Sequence, residues 1–554
     1  MQVCTRNFLS EKEAISCQAR ENLHLCFLVP GTKLTILGTL ILWFCSARLW
    51  YVLWTKGLGA YIILAEGRLT MGQKGTYTKI VATIGPASES YATIRSIIQA
   101  GARVIRLNFS HGSADEQQVR YDRARAASQE LGIPIAIFQD LQGPKIRLGA
   151  LREATIVLQK GDSLIITTQP GEGSQYRVSI DYPYLHEEIQ VGNRILIDDG
   201  LIALTVTQVE GQDIHCTAEE GGTLRPRKGV NLPGVPLRHL SSFTAKDEKD
   251  LEFAFSNNVD YVALSFVRSA EDVIALRSLM RTRFGREIPV IAKIEKPEAV
   301  ADIDRILQHA SAIMVARGDL GVEAYPEEVP MMQKSIIRAC HSAGLPVITA
   351  TQMLESMMHH PRPTRAETND VANAVLDGTS AVMLSGETAA GEYPLQAVEI
   401  MNRIAASAER SIDFQRLVLD QRLNWEHVEL RRKRTTTEAV GLATRELALA
   451  IHASYIACFT HSGGTARLIA KFRPGVPIIA FSPVMQTVQQ LALSWGVVPV
   501  LIQDLESVDE LLAFAPTYMK QLGLVSAGET VVVTAGVPVG SPGKTNMIKV
   551  IEIE

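Results

Sequence analysis

The chain has 554 residues, enough for about three or four domains. Hydrophobic residues make up 46% and charged residues 21%, the balance of a globular protein with a large core. A formal net charge of −4 excludes a general nucleic-acid binder, which needs a basic excess, but allows local basic patches for small phosphorylated ligands.

Residues 1–71 read as an N-terminal extension outside the enzyme fold, with Met71 as a natural start for the folded enzyme. Within it, residues 34–54 form an almost wholly apolar run long enough to cross a bilayer, so any membrane contact depends on this segment. Arg48 would be costly inside a bilayer unless it snorkelled to the interface. A late start and the lack of a small-residue cleavage site argue against a signal peptide. Cys4, Cys17, Cys26 and Cys45 fall in this stretch; Cys216, Cys340 and Cys458 are scattered through the rest. No C-x-x-C pair occurs, and scattered thiols suit a reducing compartment, so a cytoplasmic location is expected.

From residue 79 onward, short Val- and Ile-rich runs alternate with helical patterns. The runs are 79–85, 104–110, 133–140, 259–267, 290–295, 312–319, 346–352 and 381–388. Eight such βα units predict a closed (β/α)8 TIM barrel, assigned to residues 72–141 and 241–412. Between its third and fourth strands, helical periodicity gives way to short β segments (155–158, 163–167, 194–198, 202–206) separated by turn residues. Residues 142–240 are therefore predicted to form an inserted β-barrel lid over the end of the barrel that carries active sites. A mixed-charge stretch, 420–434, precedes a separate α/β domain, residues 413–554, with strands at 456–460, 476–481, 498–502 and 530–534.

Reactive residues of such barrels sit at the C-terminal ends of the strands. Those ends hold Arg106, Asn108, Ser110 and His111 after strand two, and Asp140, Lys145 and Arg147 after strand three. They hold Lys293 and Glu295 after strand five, and Arg317, Gly318 and Asp319 after strand six. Thr351 and Gln352 follow strand seven, and Ser385, Gly386 and Glu387 follow strand eight. Glu295 and Asp319, expected on neighbouring strands, supply hard oxygen donors suited to Mg2+ or Mn2+. Two residues before Glu295, Lys293 shares its face and can neutralise a phosphoryl group in transfer, form a Schiff base or stabilise an enolate. Arg106, Lys145, Arg147 and Arg317 would draw phosphate and carboxylate groups to the rim. Thr351 and Ser385 could relay a proton or simply bond the backbone. On residue chemistry alone, a kinase and a metal-dependent aldolase or lyase both remain open, with a membrane-tethered non-catalytic relative of the same fold as a further reading.

Seven segments, in order, carry a resemblance to the pyruvate kinase family: TIGPAS (83–88), ARVIRLNFSH (102–111), KGVNLPG (228–234), IAKIE (291–295), MVARGDLGVE (314–323), ATQMLESM (350–357) and MLSGET (383–388). The resemblance implies transfer of phosphate from phosphoenolpyruvate to ADP, giving pyruvate and ATP in glycolysis, by a homotetramer. It implies Glu295 and Asp319 as metal ligands, Lys293 and Arg106 at the phosphoryl group, and Thr351, with Ser385 nearby, at the enolpyruvate. Gly318, Asp319 and Thr351 would bind substrate, and Asn108, His111, Arg147 and Lys228 would lie near the nucleotide.

One departure from the family pattern concerns the monovalent cation. Asn108, Ser110 and Asp140 match a K+ site, but the next stretch reads LQGPK (141–145), with Lys145 where many members have glutamate. The Lys145 ammonium resembles the replacement for bound K+ in the potassium-independent, bacterial-type branch, so K+ is not expected to be required. In the last domain, THSGGT (460–465) follows a strand and opens a helix. Thr460, Ser462, Gly463 and Thr465 there suit the phosphate of a sugar-phosphate or nucleotide effector, with 536–545 as a second wall.

Overall fold

The computed structural model describes residues 76–414, 435–539 and 545–554, together with the backbone of four strands between residues 22 and 64. Contacts divide the chain into two compact units, Met1–Gln73 and Lys74–Glu554. In the first, Asn22–Leu23, Thr39–Cys45, Arg48–Thr55 and Gly59–Leu64 form one antiparallel sheet in chain order. The apolar run 34–54 is thus not one helical span. Most of it folds into a hairpin pairing Thr39 with Trp54, and residues 34–38 lie outside the described residues. Among the described residues no helix is long and apolar enough to cross a membrane.

The second unit is built on eight parallel strands: β1 (Lys79–Thr83), β2 (Ala102–Asn108), β3 (Ala136–Asp140), β4 (Tyr261–Val267), β5 (Val290–Ile294), β6 (Ala312–Ala316), β7 (Val347–Ala350) and β8 (Ala381–Leu384). They close into a barrel, with β3 against β4 and β8 against β1. Helices cover the outside and side chains fill the inside, so both strand faces are buried and the strands read as continuous apolar runs. Helix starts are written locally: Ser113 with Glu116, Thr244 with Asp247 and Thr364 with Glu367 each form a capping box.

After β3 the chain leaves for a six-stranded sheet with its own core, from Ile146 to Leu237. One helical turn, Leu185–Glu188, interrupts this otherwise all-β insert. Two joints tie its exit to the barrel. The Asn231 amide donates to Glu323 (2.8 Å), which also pairs with Lys296 at 2.9 Å; all three side chains are buried. Arg268 donates to the carbonyls of Leu237 and Leu240 at 2.7 and 2.9 Å.

The last domain is a five-stranded sheet in the order Val497–Leu501, Ile478–Ser482, Tyr455–Phe459, Thr530–Gly536, Thr545–Glu552. The final strand runs antiparallel and adds an edge that the apolar pattern does not predict. The mixed-charge stretch 420–434 and residues 540–544 of the expected effector wall lie outside the described residues. This domain seals the barrel floor. Ala492 and Leu493 join the interior cluster of Phe138, Tyr261 and Met314, and the Tyr261 hydroxyl donates to the Gln490 carbonyl at 3.0 Å. Around this plug, Lys79 donates to the Val497 carbonyl (2.7 Å), Glu409 accepts from the amides of Tyr77 and Thr78, and Tyr77 stacks on Trp495.

Candidate active site

Lys293 sits at the end of β5 with its ammonium 2.9 Å from Glu295 Oε1 and 3.3 Å from Asp140 Oδ1; it donates to Ser265 Oγ at 2.7 Å. Burial lowers its pKa, but the Asp140 and Glu295 carboxylates outweigh burial and raise it above the ordinary lysine value. Asp140 is fully enclosed and accepts from Arg106 through both Nε and Nη2 at 2.7 Å. Burial opposes its ionisation, yet Lys293 and Arg106 prevail and hold the carboxyl below its usual range. Glu295 is pushed up to about 7 by burial and by Asp319, against the pull of Lys293.

Asp319 does not stand on a strand as the spacing suggested. β6 ends at Ala316, and Arg317–Glu323 is a short helix, which puts Asp319 in its first turn. Its carboxylate makes no hydrogen bond among the described residues. Arg317 pairs with Asp370 at 2.8 Å and donates to the Thr351 carbonyl at 2.7 Å, so it braces the turn after β7. Thr351 and Gln352 in that turn have φ of 68° and 52°, a left-handed conformation that β-branched threonine seldom adopts. The turn aims Thr351 Oγ1 at the amide of Gly318, 2.8 Å away. Ser385 follows β8, and its buried Oγ has no hydrogen-bond partner among the described residues.

The remaining candidates fall into two groups. Asn108, Ser110 and His111 form the turn after β2, where Asn108 Oδ1 accepts from the Ser110 amide at 3.1 Å and His111 is exposed. Arg147, Lys145 and Lys228 gather instead on the insert: Lys228 pairs with Asp198 at 2.8 Å, Arg147 donates to the Arg227 carbonyl at 3.3 Å, and Lys145 lies 3.9 Å from Asp199. Asn108 and Asp140 are register partners on β2 and β3, so with Ser110 three of the expected cation-site residues lie side by side; no hydrogen bond or ion pair joins Lys145 to them among the described residues. The insert nevertheless reaches the mouth, since a Cβ on Gly200 would lie 3.8 Å from Val322 in the helix that carries Asp319.

Ser265 and Phe266, on β4, were missed. The serine stands near the C-terminal end of its strand, the position that marks the candidates on the other strands. Glu323 and Asn231 lay within recognised segments, but nothing local signals their contact.

Two hard carboxylates fit a divalent metal ion: Asp319 is free to accept it, and the raised Glu295 carboxyl marks negative charge that a cation would relieve. Among the described residues no group of three or more His, Cys, Asp or Glu could hold a metal, so water and substrate oxygens would complete the shell.

In the last domain, Gly463 adopts φ 80° and opens helix Gly464–Lys471, and its amide is taken by Thr460 Oγ1 at 3.0 Å. Thr465 shares a hydrogen bond with Thr545 at 2.8 Å. Beside this turn lies a cavity of about 260 Å3, lined by Thr460, Ser462 and Thr465 on one side and by Phe481 and Leu511 on another.

A lysine held among carboxylates at a barrel mouth, with an inserted β domain rooted at that mouth, suits a barrel phosphotransferase. Family models for the pyruvate kinase barrel domain and the pyruvate kinase alpha/beta domain match residues 76–398 and 438–551. Pyruvate kinase of Geobacillus stearothermophilus is 45% identical over 475 residues, covering 85% of this chain and 80% of the relative. That of Staphylococcus epidermidis is 44% identical over the same shares. The crystal structure of a pyruvate kinase from Cryptosporidium parvum superposes with a TM-score of 0.82 at 36% identity, covering 88% of this chain and 98% of that one. The chain belongs to the pyruvate kinase family.

Proposed function

We propose a division of labour at the barrel mouth for the family reaction, the transfer of the phosphoryl group of phosphoenolpyruvate to ADP to give pyruvate and ATP. The observation that carries it is the placement of Lys293 Nζ, 3.3 Å from Asp140 and 2.9 Å from Glu295. An ammonium held between Asp140 and Glu295 cannot serve as the neutral amine that Schiff-base chemistry requires, which disfavours the aldolase reading. It can stabilise charge on a phosphoryl group in transit.

Arg106, locked by Asp140, presents a second fixed positive charge to the same group. Mg2+ or Mn2+, held by Glu295 and Asp319, would supply Lewis-acid stabilisation of phosphoryl and enolate oxygens. The Gly318 amide, the Asp319 turn and Thr351 bind the carboxylate end of the substrate. Thr351 and Ser385, the latter with its hydroxyl unspent, guide the proton that converts enolpyruvate to pyruvate. Asn108, His111, Arg147 and Lys228 face the nucleotide, the last two arriving with the insert as a lid. A coupled assay tests the whole: pyruvate must appear only when both phosphoenolpyruvate and ADP are present, and ADP-independent release would refute the assignment.

Further assignments rest on the same likeness. Residues 72–141 and 241–412 form the catalytic barrel, 142–240 the lid and 413–554 the regulatory domain of a homotetramer. Three buried free thiols, Cys216, Cys340 and Cys458, suit the cytoplasm. Lys145 supplies the charge that K+ provides in other members once the lid carries it inward. The cavity beside Thr460, Ser462, Gly463 and Thr465 takes the phosphate of a sugar-phosphate or nucleotide effector.

A further inference from the structure

Strand β4 is irregular where it meets the active centre. Its pairing with β5 runs Val262 to Val290, Ala263 to Ile291 and Leu264 to Ala292, then jumps to Val267 opposite Ile294. Three steps along β4 match two along β5, so the strand carries one extra residue, a β-bulge. Within the bulge Phe266 has φ 56°. A bulky aromatic residue rarely holds this left-handed conformation, and such outliers cluster where surrounding structure requires them.

The bulge turns two groups onto the active centre. The Phe266 amide leaves the ladder and donates to Glu295 Oε2 at 2.6 Å. Ser265 Oγ accepts from Lys293 at 2.7 Å and donates to the Leu141 carbonyl at 2.8 Å. A regular strand would point that amide at β5 and leave Glu295 Oε2 without its donor. The base of the insert packs on the same spot. A Cβ on Gly143 would fall 2.9 Å from both the Phe266 ring and Ser265 Cβ, while its own amide is held by Asp247 at 3.2 Å.

We propose that the Ser265–Phe266 bulge is the positioning device of the active centre. Phe266 fixes the Glu295 carboxylate in its metal-binding orientation through a main-chain amide, and Ser265 fixes the Lys293 ammonium. Both act through other residues and touch no reacting atom. The inference rests on the reading of Glu295 as a metal donor and Lys293 as the phosphoryl-stabilising group.

The test measures Mn2+ binding to the full chain without substrates, by loss of the free-ion EPR signal, in Phe266→Val, Phe266→Ala, Phe266→Gly and Glu295→Gln. All three Phe266 variants lose the ring, but glycine accepts left-handed φ freely, alanine with difficulty and β-branched valine hardly at all. Affinity should fall in the order Gly, Ala, Val, with Val weaker than Gly by about tenfold or more, the usual effect of losing a metal ligand's orienting bond. Where valine prevents folding, the Ala-to-Gly ratio carries the same comparison. Equal affinities across the three overturn the proposal for Phe266. Glu295→Gln should lose most binding, and if it binds Mn2+ like the wild type, the metal assignment itself fails whatever the bulge does. For Ser265→Ala, kcat should drop by about tenfold or more while KM for phosphoenolpyruvate and the melting temperature hold, because only a transition-state contact is misaligned. An unchanged kcat overturns the role of Ser265.

Discussion

Replacing Lys293 by Met separates catalysis from metal binding, because the two should move in opposite directions. The ammonium occupies Glu295 Oε1 at 2.9 Å and faces Asp140 at 3.3 Å, so its loss frees a carboxylate oxygen and leaves two buried acids without their shared cation. Unit charges 4 Å apart repel by about 4 kcal/mol at an effective dielectric near 20, so a divalent ion beside Glu295 gains when Lys293 goes. Even a third of that interaction corresponds to about tenfold tighter binding of Mn2+ in the absence of substrate. Removing a single preorganised donor from a developing charge costs about 100- to 1000-fold in kcat, and a full ammonium should cost at least that. EPR titration gives the first quantity, and pyruvate formation at saturating substrates gives the second. Weaker Mn2+ binding, or a kcat within about tenfold of wild type, would contradict the electrostatic account of the site.

Other expectations concern the joints and the cation sites. Burial lowers the Lys79 pKa to about 7, aided by Arg103 and opposed by Glu409, so the unfolded chain binds the extra proton between that value and the ordinary 10.5. Stability should therefore rise with pH across this window, and Lys79→Met should flatten the rise in melting temperature; parallel curves would refute it. Glu323→Gln leaves Lys296 buried without its partner, at a cost of about 3–5 kcal/mol in denaturation, and should raise KM for ADP by loosening the insert. An unaltered denaturation midpoint would mean that the joint contributes nothing. Initial rates in potassium-free tetramethylammonium buffer should change little when KCl is added; activation of about tenfold, or 1.4 kcal/mol, would remove Lys145 from the cation's role. If neither sugar phosphates nor AMP shift the phosphoenolpyruvate saturation curve, the cavity by Thr460 is not an effector site.

The barrel was legible in the sequence because its strands are buried on both faces, and that burial writes unbroken Val and Ile runs between helices. Strand ends then located Lys293, Glu295 and Thr351 without any chemical selection. The segment 312–319 reads as all strand because Gly318 and Gly321 are poor helix formers, yet tertiary packing makes Arg317–Glu323 helical and turns Asp319 in a new direction. The pairing of Arg317 with Asp370 was not legible, because the two are distant in sequence and a long-range brace looks the same as a free cation. Phe266 carries no glycine or asparagine signal for its left-handed backbone, so the bulge was invisible. In the edge strand Thr545–Glu552 the apolar residues Met547, Ile548, Val550 and Ile551 are broken by Lys549, so its run is less continuous than those of the central strands.

The plug in the barrel floor has a consequence for synthesis. Ala492 and Leu493 belong to the same interior cluster as Phe138 and Met314, although they follow the last barrel strand by more than a hundred residues of chain. A ribosome that has released all eight strands has therefore not yet supplied the residues that close their lower layer. Until the helix Met485–Leu491 and the residues after it emerge, the nascent barrel exposes an apolar opening, and final packing waits for about the last eighth of translation.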